Sequence, residues 1–274
     1  MKLAFSTVGC PDWSFDEIFA AAKDFGYDAI EIRGIGNEIY APKLNVFSEK
    51  NTEATKKKLK NAGLFVSMFT SNSVIGIPAG AKAGKKEAIE YIDLAYRLEV
   101  PFVRIMVTPR PEADEADLGC AAAVYSEICE YAKNKSVIPL LETNGIFAES
   151  GVLAKFLEQI PGENKGALWD IHHPCRFFGE SAGQVFGNIG KYVKYLHIKD
   201  SVIEPETKKA GYKMVGYGDM PIADIVRLVA DGGYDGVFSL EWTKRWQPEL
   251  QEPGIVFAQY VDYMRQLLSE LDLR

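Results

Sequence analysis

Eight short apolar runs recur along this chain of 274 residues, and sequence with helical spacing separates each run from the next. The runs are rich in branched and alternating apolar residues, which is typical of β-strands. They span residues 3–6, 27–33, 64–71, 102–107, 137–143, 166–171, 193–200 and 236–242. Strands that alternate with helices form parallel sheets, because each helix carries the chain back along the sheet. The pattern therefore predicts an α/β protein.

The segments between the runs carry helix signals. The sequence Ser14-Phe-Asp-Glu17 fits a capping box, so a helix is expected from Phe15 to Phe25, ending at Gly26. Further helical segments are expected at 53–62, 85–98, 121–134, 152–159 and 223–231. No linker divides the pattern, so we expect residues 1–274 to form one domain. Eight such units in roughly 250 residues predict a closed (β/α)8 barrel, the TIM-barrel fold, rather than an open doubly wound sheet.

Charge and composition argue against several classes of function and partner. The net charge is −7, with acids and bases interspersed, so a nucleic-acid partner is not expected. No stretch approaches the roughly 18 consecutive apolar residues of a membrane span, and the N-terminus does not resemble a signal peptide. The four cysteines lack the CxxC or CxxH spacing of metal sites. We therefore expect a cytoplasmic protein with reduced thiols and no membrane partner.

Four polar residues stand at the carboxyl ends of the last four predicted strands. Glu142 ends the fifth strand, Asp170 the sixth, His197 the seventh and Glu241 the eighth. In a parallel barrel these ends meet on one rim, with neighbouring strands about 4.8 Å apart. Two glutamates, an aspartate and an imidazole suit a divalent metal ion. The alternative for any single acid is a solvated rim charge, but four in order on successive strands favour a shared site.

The segments LLETN, WDIHHP, HIKD and SLEW that carry these residues resemble the xylose isomerase-like superfamily, also described as the sugar phosphate isomerase/epimerase family. The resemblance covers nearly the whole chain. It implies that Glu142, Asp170, His197 and Glu241 bind one catalytic divalent ion, for which we expect Mn²⁺, with Mg²⁺, Co²⁺ or Zn²⁺ as alternatives. It also implies that Glu142 and Glu241 are the acid/base pair.

Two adjacent histidines, His172 and His173, follow the sixth strand, and either could face the substrate. Strand alternation would place His172 on the same face as Asp170, but Pro174 suggests that the strand has ended by then. The Asp-x-x-His spacing of the family implies instead that His173 faces the substrate. His172 is then expected to pack or to support its neighbours.

The resemblance implies an isomerase or epimerase that acts on a sugar or a related polyhydroxy ketone. The ion would bind adjacent substrate oxygens and stabilise the enediolate formed by proton loss next to the carbonyl. An acid/base pair would remove and return that proton. His173 and Lys199 are expected to orient hydroxyl groups, since Lys199 lies two residues from His197 and shares its inward face. The expected partner is a small-molecule sugar or cyclitol, and a homo-oligomer is left open.

Several alternatives share these motifs. The same site can act as a lyase, of the inosose dehydratase type or by elimination from a 3-oxo-glycoside. An endonuclease IV-like nuclease would hold three metals with many more histidines than the three in this chain. A non-catalytic sugar-binding subunit would not need an intact ligand set. The loop GYGDMP at 216–221 follows the seventh strand, where many barrels bind phosphate, but it lacks basic residues, which favours an unphosphorylated substrate.

Three charged residues lie within predicted strands. Glu31 and Arg33 alternate on the second strand, and Arg104 lies within the fourth. Because buried charges are tolerated when they are paired, we expect an ion-pair layer inside the barrel. Contact between one of these residues and the substrate is the alternative.

Overall fold

Eight parallel strands close into a barrel in the computed structural model, which describes residues 1–112 and 115–273. The barrel strands are β1 (Lys2–Ser6), β2 (Ala29–Ile32), β3 (Phe65–Val74), β4 (Phe102–Met106), β5 (Ile138–Glu142), β6 (Gly166–Asp170), β7 (Val193–Ile198) and β10 (Val237–Leu240), and two further strands, β8 (Asp200–Ile203) and β9 (Ala210–Lys213), lie outside the barrel. Around the ring the strands follow the order β1-β10-β7-β6-β5-β4-β3-β2. The predicted single-domain (β/α)8 barrel is confirmed.

Helices connect the barrel strands and cover the outside of the barrel. They are α1 (Phe15–Phe25), α2 (Thr52–Asn61), α3 (Pro78–Leu98), α4 (Leu118–Lys133), α5 (Ser150–Gln159), α6 (His172–Phe178), α7 (Ala182–Ile189), α8 (Ile222–Asp231) and α9 (Pro253–Glu270). The predicted capping box at Ser14 and Glu17 opens α1, and Gly26 ends it with a left-handed φ of 80°. Of the helices in the described ranges, none has both the length and the apolar character to cross a membrane.

The barrel interior is arranged in layers. An apolar floor is formed by one inward residue from each of seven strands: Ala4, Ala29, Met68, Leu140, Leu168, Tyr195 and Val237. Two residues further along each strand the side chain points inward again, because strand side chains alternate with a period of two. Those positions are polar and buried: Ser6, Glu31, Thr70, Glu142, Asp170, His197 and Ser239. A polar layer therefore lies directly on the carboxyl side of an apolar floor.

The segment after β6 turns directly into a helix, whereas the sequence predicted only that the strand ends before Pro174. β6 ends at Asp170, and α6 begins at His172 with Pro174 in its first turn, where a missing backbone N–H costs nothing. This geometry explains why strand alternation fails as a guide to His172. Helical sequence was expected after the sixth and eighth strands, but no bounds were predicted for the helices α7 and α9 found there.

The segment after β7 forms an unpredicted antiparallel hairpin. Its strands are β8 (Asp200–Ile203) and β9 (Ala210–Lys213), paired from Asp200 with Lys213 to Ile203 with Ala210. The seventh strand was predicted to continue to residue 200, but β7 ends at Ile198 and the hairpin begins at Asp200. The hairpin stands over the carboxyl end of the barrel.

Candidate active site

The four predicted ligand residues lie together at the carboxyl end of the barrel. One ligand atom from each of Glu142, Asp170, His197 and Glu241 lies within 4.8 Å of all the others. β5, β6 and β7 supply the first three, and Glu241 directly follows β10. All four side chains are buried. Adjacent strand ends therefore produce a compact cluster of three carboxylates and one imidazole.

The ring of His197 is oriented by a buried carboxylate beneath it. Its Nε2 donates to Glu31 Oε2 at 3.0 Å, because a carboxylate can only accept. Nδ1 then faces Glu142 Oε1 at 3.5 Å, Glu241 Oε1 at 3.6 Å and Asp170 Oδ2 at 3.9 Å. It has no hydrogen-bond partner among residues 1–112 and 115–273. Three anionic oxygens around this nitrogen require positive charge between them, and a divalent cation fits that requirement and the mixed oxygen and nitrogen donors.

The charges around the ring shift the pKa of His197. Burial alone would lower that pKa, but the carboxylates of Glu31 and Glu241 outweigh burial and hold it well above its ordinary value. The raised pKa of His197 shows that the carboxylates around its ring favour a positive charge at this position.

Cations also hold the outer oxygen of each glutamate. Arg104 Nη1 lies 3.0 Å from Glu142 Oε2, and Lys199 Nζ contacts Glu241 Oε2. Burial would raise the pKa of both carboxyls, but Arg104 holds the pKa of Glu142, and Lys199 that of Glu241, below the usual range. Lys199 Nζ also lies 2.6 Å from Asp170 Oδ2. Each glutamate is therefore ionised, with one oxygen paired and the other directed toward His197.

The two adjacent histidines of α6 point in different directions. His173 Nδ1 donates to the carbonyl of Thr143 at 3.0 Å, so its unprotonated Nε2 faces Lys199 Nζ at 3.4 Å inside the cavity. His172 Nε2 instead pairs with Ser201 Oγ at 3.0 Å, and its ring stacks on Tyr212 with centroids 5.2 Å apart. Burial lowers the pKa of His172 to about 3. His173 therefore lines the cavity and His172 contacts the segment after β7, while the roles of both residues stay predictions.

A cavity of about 370 Å³ opens over the cluster. Its walls combine predicted ligand residues with polar and aromatic side chains from the barrel strands, from the segments that follow them and from the hairpin: Arg33, Asn72, Arg104, Glu142, Asn144, His173, Lys199, Tyr212, Glu241 and Trp246. All six predicted site residues thus lie in or directly beneath one cavity. Its size and its polar lining suit a small polyhydroxy compound.

The expected ion-pair layer takes a different form. Glu31 pairs with His197 and Arg104 with Glu142, so these two residues support the ligand cluster rather than each other. Glu31 also accepts from Thr70 Oγ1 at 2.8 Å and Ser239 Oγ at 2.7 Å. Sequence spacing offered no signal for these contacts, because the partners are distant along the chain. The cavity residue Tyr212 was missed with its hairpin.

The geometry agrees with a comparison of the whole sequence with known families. The sequence profile described as the xylose isomerase-like TIM barrel matches residues 19–266. The chain belongs to the xylose isomerase-like TIM barrel family. The family resemblance expected from the four strand-end segments is therefore confirmed.

Individual members of the xylose isomerase-like family align over nearly the full chain. The fructoselysine 3-epimerase of Escherichia coli O157:H7 is 24% identical over 281 residues, covering 98% of this chain and 99% of that protein. The structure of an L-ribulose 3-epimerase matches with a TM-score of 0.78 and 17% identity, covering 99% and 95% of the two chains. A Mycobacterium smegmatis family member in complex with magnesium matches with a TM-score of 0.77 and 17% identity, covering 100% and 98%. The two structural matches establish the shared fold.

Proposed function

We propose that this protein is a divalent-metal-dependent epimerase or isomerase of a ketose or a related polyhydroxy ketone. The observation that carries the proposal is the pair of ionised glutamates on two sides of one ligand cluster. In the ring, β6 and β7 lie between β5, which carries Glu142, and β10, which precedes Glu241. Epimerisation needs one group to remove a proton from one face of a carbon and another to return a proton to the opposite face. The relation to a fructoselysine 3-epimerase over the full chain supports the same chemistry.

The chain's own residues divide the work as follows. Glu142, Asp170, His197 and Glu241 would hold the ion, which when bound polarises the substrate carbonyl and makes the neighbouring C–H more acidic. Glu142 and Glu241 take up and return the proton. Arg104 and Lys199 lower the pKa values of these two carboxyls, which keeps both glutamates ionised and able to accept a proton. His173 and Lys199 orient substrate hydroxyl groups.

The proposed substrate carries no phosphate group at the loop after the seventh barrel strand, where many barrels bind one. The loop at 216–221 points its backbone N–H groups at an internal carboxylate: those of Gly216 and Gly218 each donate to Asp200 Oδ2 at 2.9 Å, and that of Met220 donates to Asp200 Oδ1 at 3.2 Å. Asp200 thus takes the place that a phosphate would occupy in such a loop. This supports an unphosphorylated polyol.

A substrate panel in deuterated water tests the proposal. The metal-loaded protein is incubated with ketoses, inososes and 3-oxo-glycosides, and proton NMR follows each carbon next to the carbonyl. We expect solvent deuterium at one carbon, with inversion of that centre. Loss of water and appearance of an alkene signal would identify a lyase instead. If no compound in the panel changes, the proposed activity is refuted.

The two histidines provide a paired prediction. His173→Ala should lower kcat/KM by about tenfold to hundredfold, because it removes a side chain that lines the cavity and whose Nε2 lies 3.4 Å from Lys199 Nζ. His172→Ala should change kcat/KM by less than about threefold, although losing its contacts with Ser201 and Tyr212 lowers the melting temperature. The same NMR exchange assay gives both rates. Equal losses in the two variants would contradict the assignment.

Metal analysis separates the enzyme from the other candidates. Within the described residues, one group of ligating side chains of this kind is found. We expect one divalent ion per chain by elemental analysis, and a higher melting temperature after adding Mn²⁺, because an ion that binds only the folded state stabilises it. More than one tightly bound ion per chain would favour the endonuclease IV-like alternative. If no ion is bound and Mn²⁺ does not raise the melting temperature, the non-catalytic sugar-binding subunit is favoured.

A further inference from the structure

Arg33 is a third cationic side chain in the cavity lining, after Arg104 and Lys199, and it has no carboxylate partner within 4.0 Å among the described residues. Arg33 directly follows β2 and is only 5% exposed. Its Nη2 donates to Asn72 Oδ1, but its buried Nη1 has no hydrogen-bond partner among the described residues. Glu87 of α3 accepts from the backbone N–H of Asn72 at 2.6 Å and does not reach within 4.0 Å of the guanidinium. A buried guanidinium with a free donor is costly unless a ligand completes it.

A count of the charges in the site also shows that Arg33 has no carboxylate to pair with. Four buried carboxylates surround the ring of His197: Glu31, Glu142, Asp170 and Glu241. Arg104 and Lys199 match two of their charges through direct contacts. A divalent ion would match the remaining two. Arg33 then adds one positive charge to the cavity that no described carboxylate pairs within 4.0 Å.

Arg33 also stands on the far wall from the ligand cluster. In the ring of eight strands, β2 lies opposite β6, while the ligands come from β5, β6, β7 and the end of β10. The ring of Trp246 lies 5.9 Å from the Arg33 guanidinium carbon and lines the same cavity. Trp246 remains 54% exposed, so it can cover the end of a bound molecule. A cation–π contact of this kind helps to fix the guanidinium in place.

We propose that Arg33 binds a carboxylate at the end of the substrate remote from the reacting carbon. This deepens the proposed function and rests on it: the substrate would be a polyhydroxy ketone that carries a terminal carboxylate. A guanidinium presents paired N–H donors that match a carboxylate, which makes Arg33 a residue of specificity rather than of proton transfer. One end of the molecule would lie at the ligand cluster and the other between Arg33 and Trp246.

A matched pair of substrates tests the inference. A 2-ketohexose and the same ketose oxidised to a carboxylate at its terminal carbon are compared by deuterium exchange in the metal-loaded protein. We expect kcat/KM to favour the carboxylate by at least about tenfold, as for hydrogen bonds to charged groups. Arg33→Gln should abolish that preference, so that the ratio of kcat/KM between the carboxylate and the neutral ketose falls to about one. Arg245→Gln is the matched control and should keep the preference, because Arg245 Nη2 is engaged by the carbonyl of Gly36 at 2.8 Å.

Three outcomes would overturn the inference. One is equal kcat/KM for the two ketoses in the unmodified protein, and another is a preference that survives Arg33→Gln. The third is a stronger Arg33-dependent preference for the terminal phosphate of the same ketose, which would assign the position to phosphate.

A binding measurement separates this inference from the proposed function. Calorimetry compares an aldonate with its alditol, neither of which can react as a ketose. Tighter binding of the aldonate that Arg33→Gln removes supports the carboxylate position even if no ketose exchanges, a result that would refute the proposed function alone. Equal binding of the two compounds refutes the carboxylate position alone.

Discussion

Glu142→Gln should stop inversion of the substrate while leaving deuterium exchange in one of the two epimers. If Glu142 and Glu241 serve opposite faces of one carbon, each variant keeps the base for one face only. The epimer whose proton faces the remaining glutamate still exchanges, but the product of inversion falls by about 10²- to 10⁴-fold, the usual range for a lost acid or base. Glu241→Gln should show the same defect with the opposite epimer. Proton NMR in deuterated water, started from each epimer in turn, measures both effects.

Asp170, a proposed metal ligand with no proposed acid/base role, provides the control. Asp170→Asn removes a carboxylate that is proposed to take no proton from substrate, so it should reduce exchange in both epimers equally. Elemental analysis of each variant ensures that rates are compared at equal metal content. Full inversion by metal-loaded Glu142→Gln or Glu241→Gln would show that the acid/base pair lies elsewhere.

Much of this site could be anticipated because strand periodicity and barrel topology are encoded locally. Glu142 and Asp170 each lie two residues beyond a leucine of the apolar floor, and His197 lies two beyond Tyr195. The sequence therefore contained both the direction of each side chain and the order of the strand ends. A closed barrel converts that order into proximity, which is why four residues spread over a hundred positions could be grouped from sequence.

The contacts that were missed depend on tertiary packing rather than on local pattern. The hydrogen bond between Glu31 and His197 joins residues 166 positions apart, on strands that are not neighbours in the ring. The hairpin β8–β9 is built from two four-residue strands, too short for alternation to distinguish from a loop. His172 and His173 could be separated only by family spacing, because the change from strand to helix between them and Asp170 breaks the alternation.

Glu31→Gln should weaken divalent-metal binding by about tenfold to hundredfold, the range found when a carboxylate behind a metal-binding histidine is lost. Burial would raise the pKa of Glu31, but the His197 ring and the hydrogen bonds from Ser239 and Thr70 outweigh it and lower the pKa to about 2. Glu31 is therefore an anion at neutral pH. It keeps the ring proton on Nε2 and makes Nδ1 a better electron donor to a cation. Glutamine preserves the shape but removes that charge, and chelator competition followed by elemental analysis measures the affinity.

Tyr195→Phe is a suitable control for Glu31→Gln. Tyr195 lies beneath His197 with ring centroids 6.0 Å apart, and its hydroxyl pairs with Ser67 Oγ at 2.7 Å. The variant removes a buried hydrogen bond from the same interior without changing the charge behind the imidazole. Its metal affinity should stay within about threefold of the unmodified protein, although its melting temperature falls. Equal affinity losses in the two variants would mean that packing, rather than the charge of Glu31, prepares His197 to bind the ion.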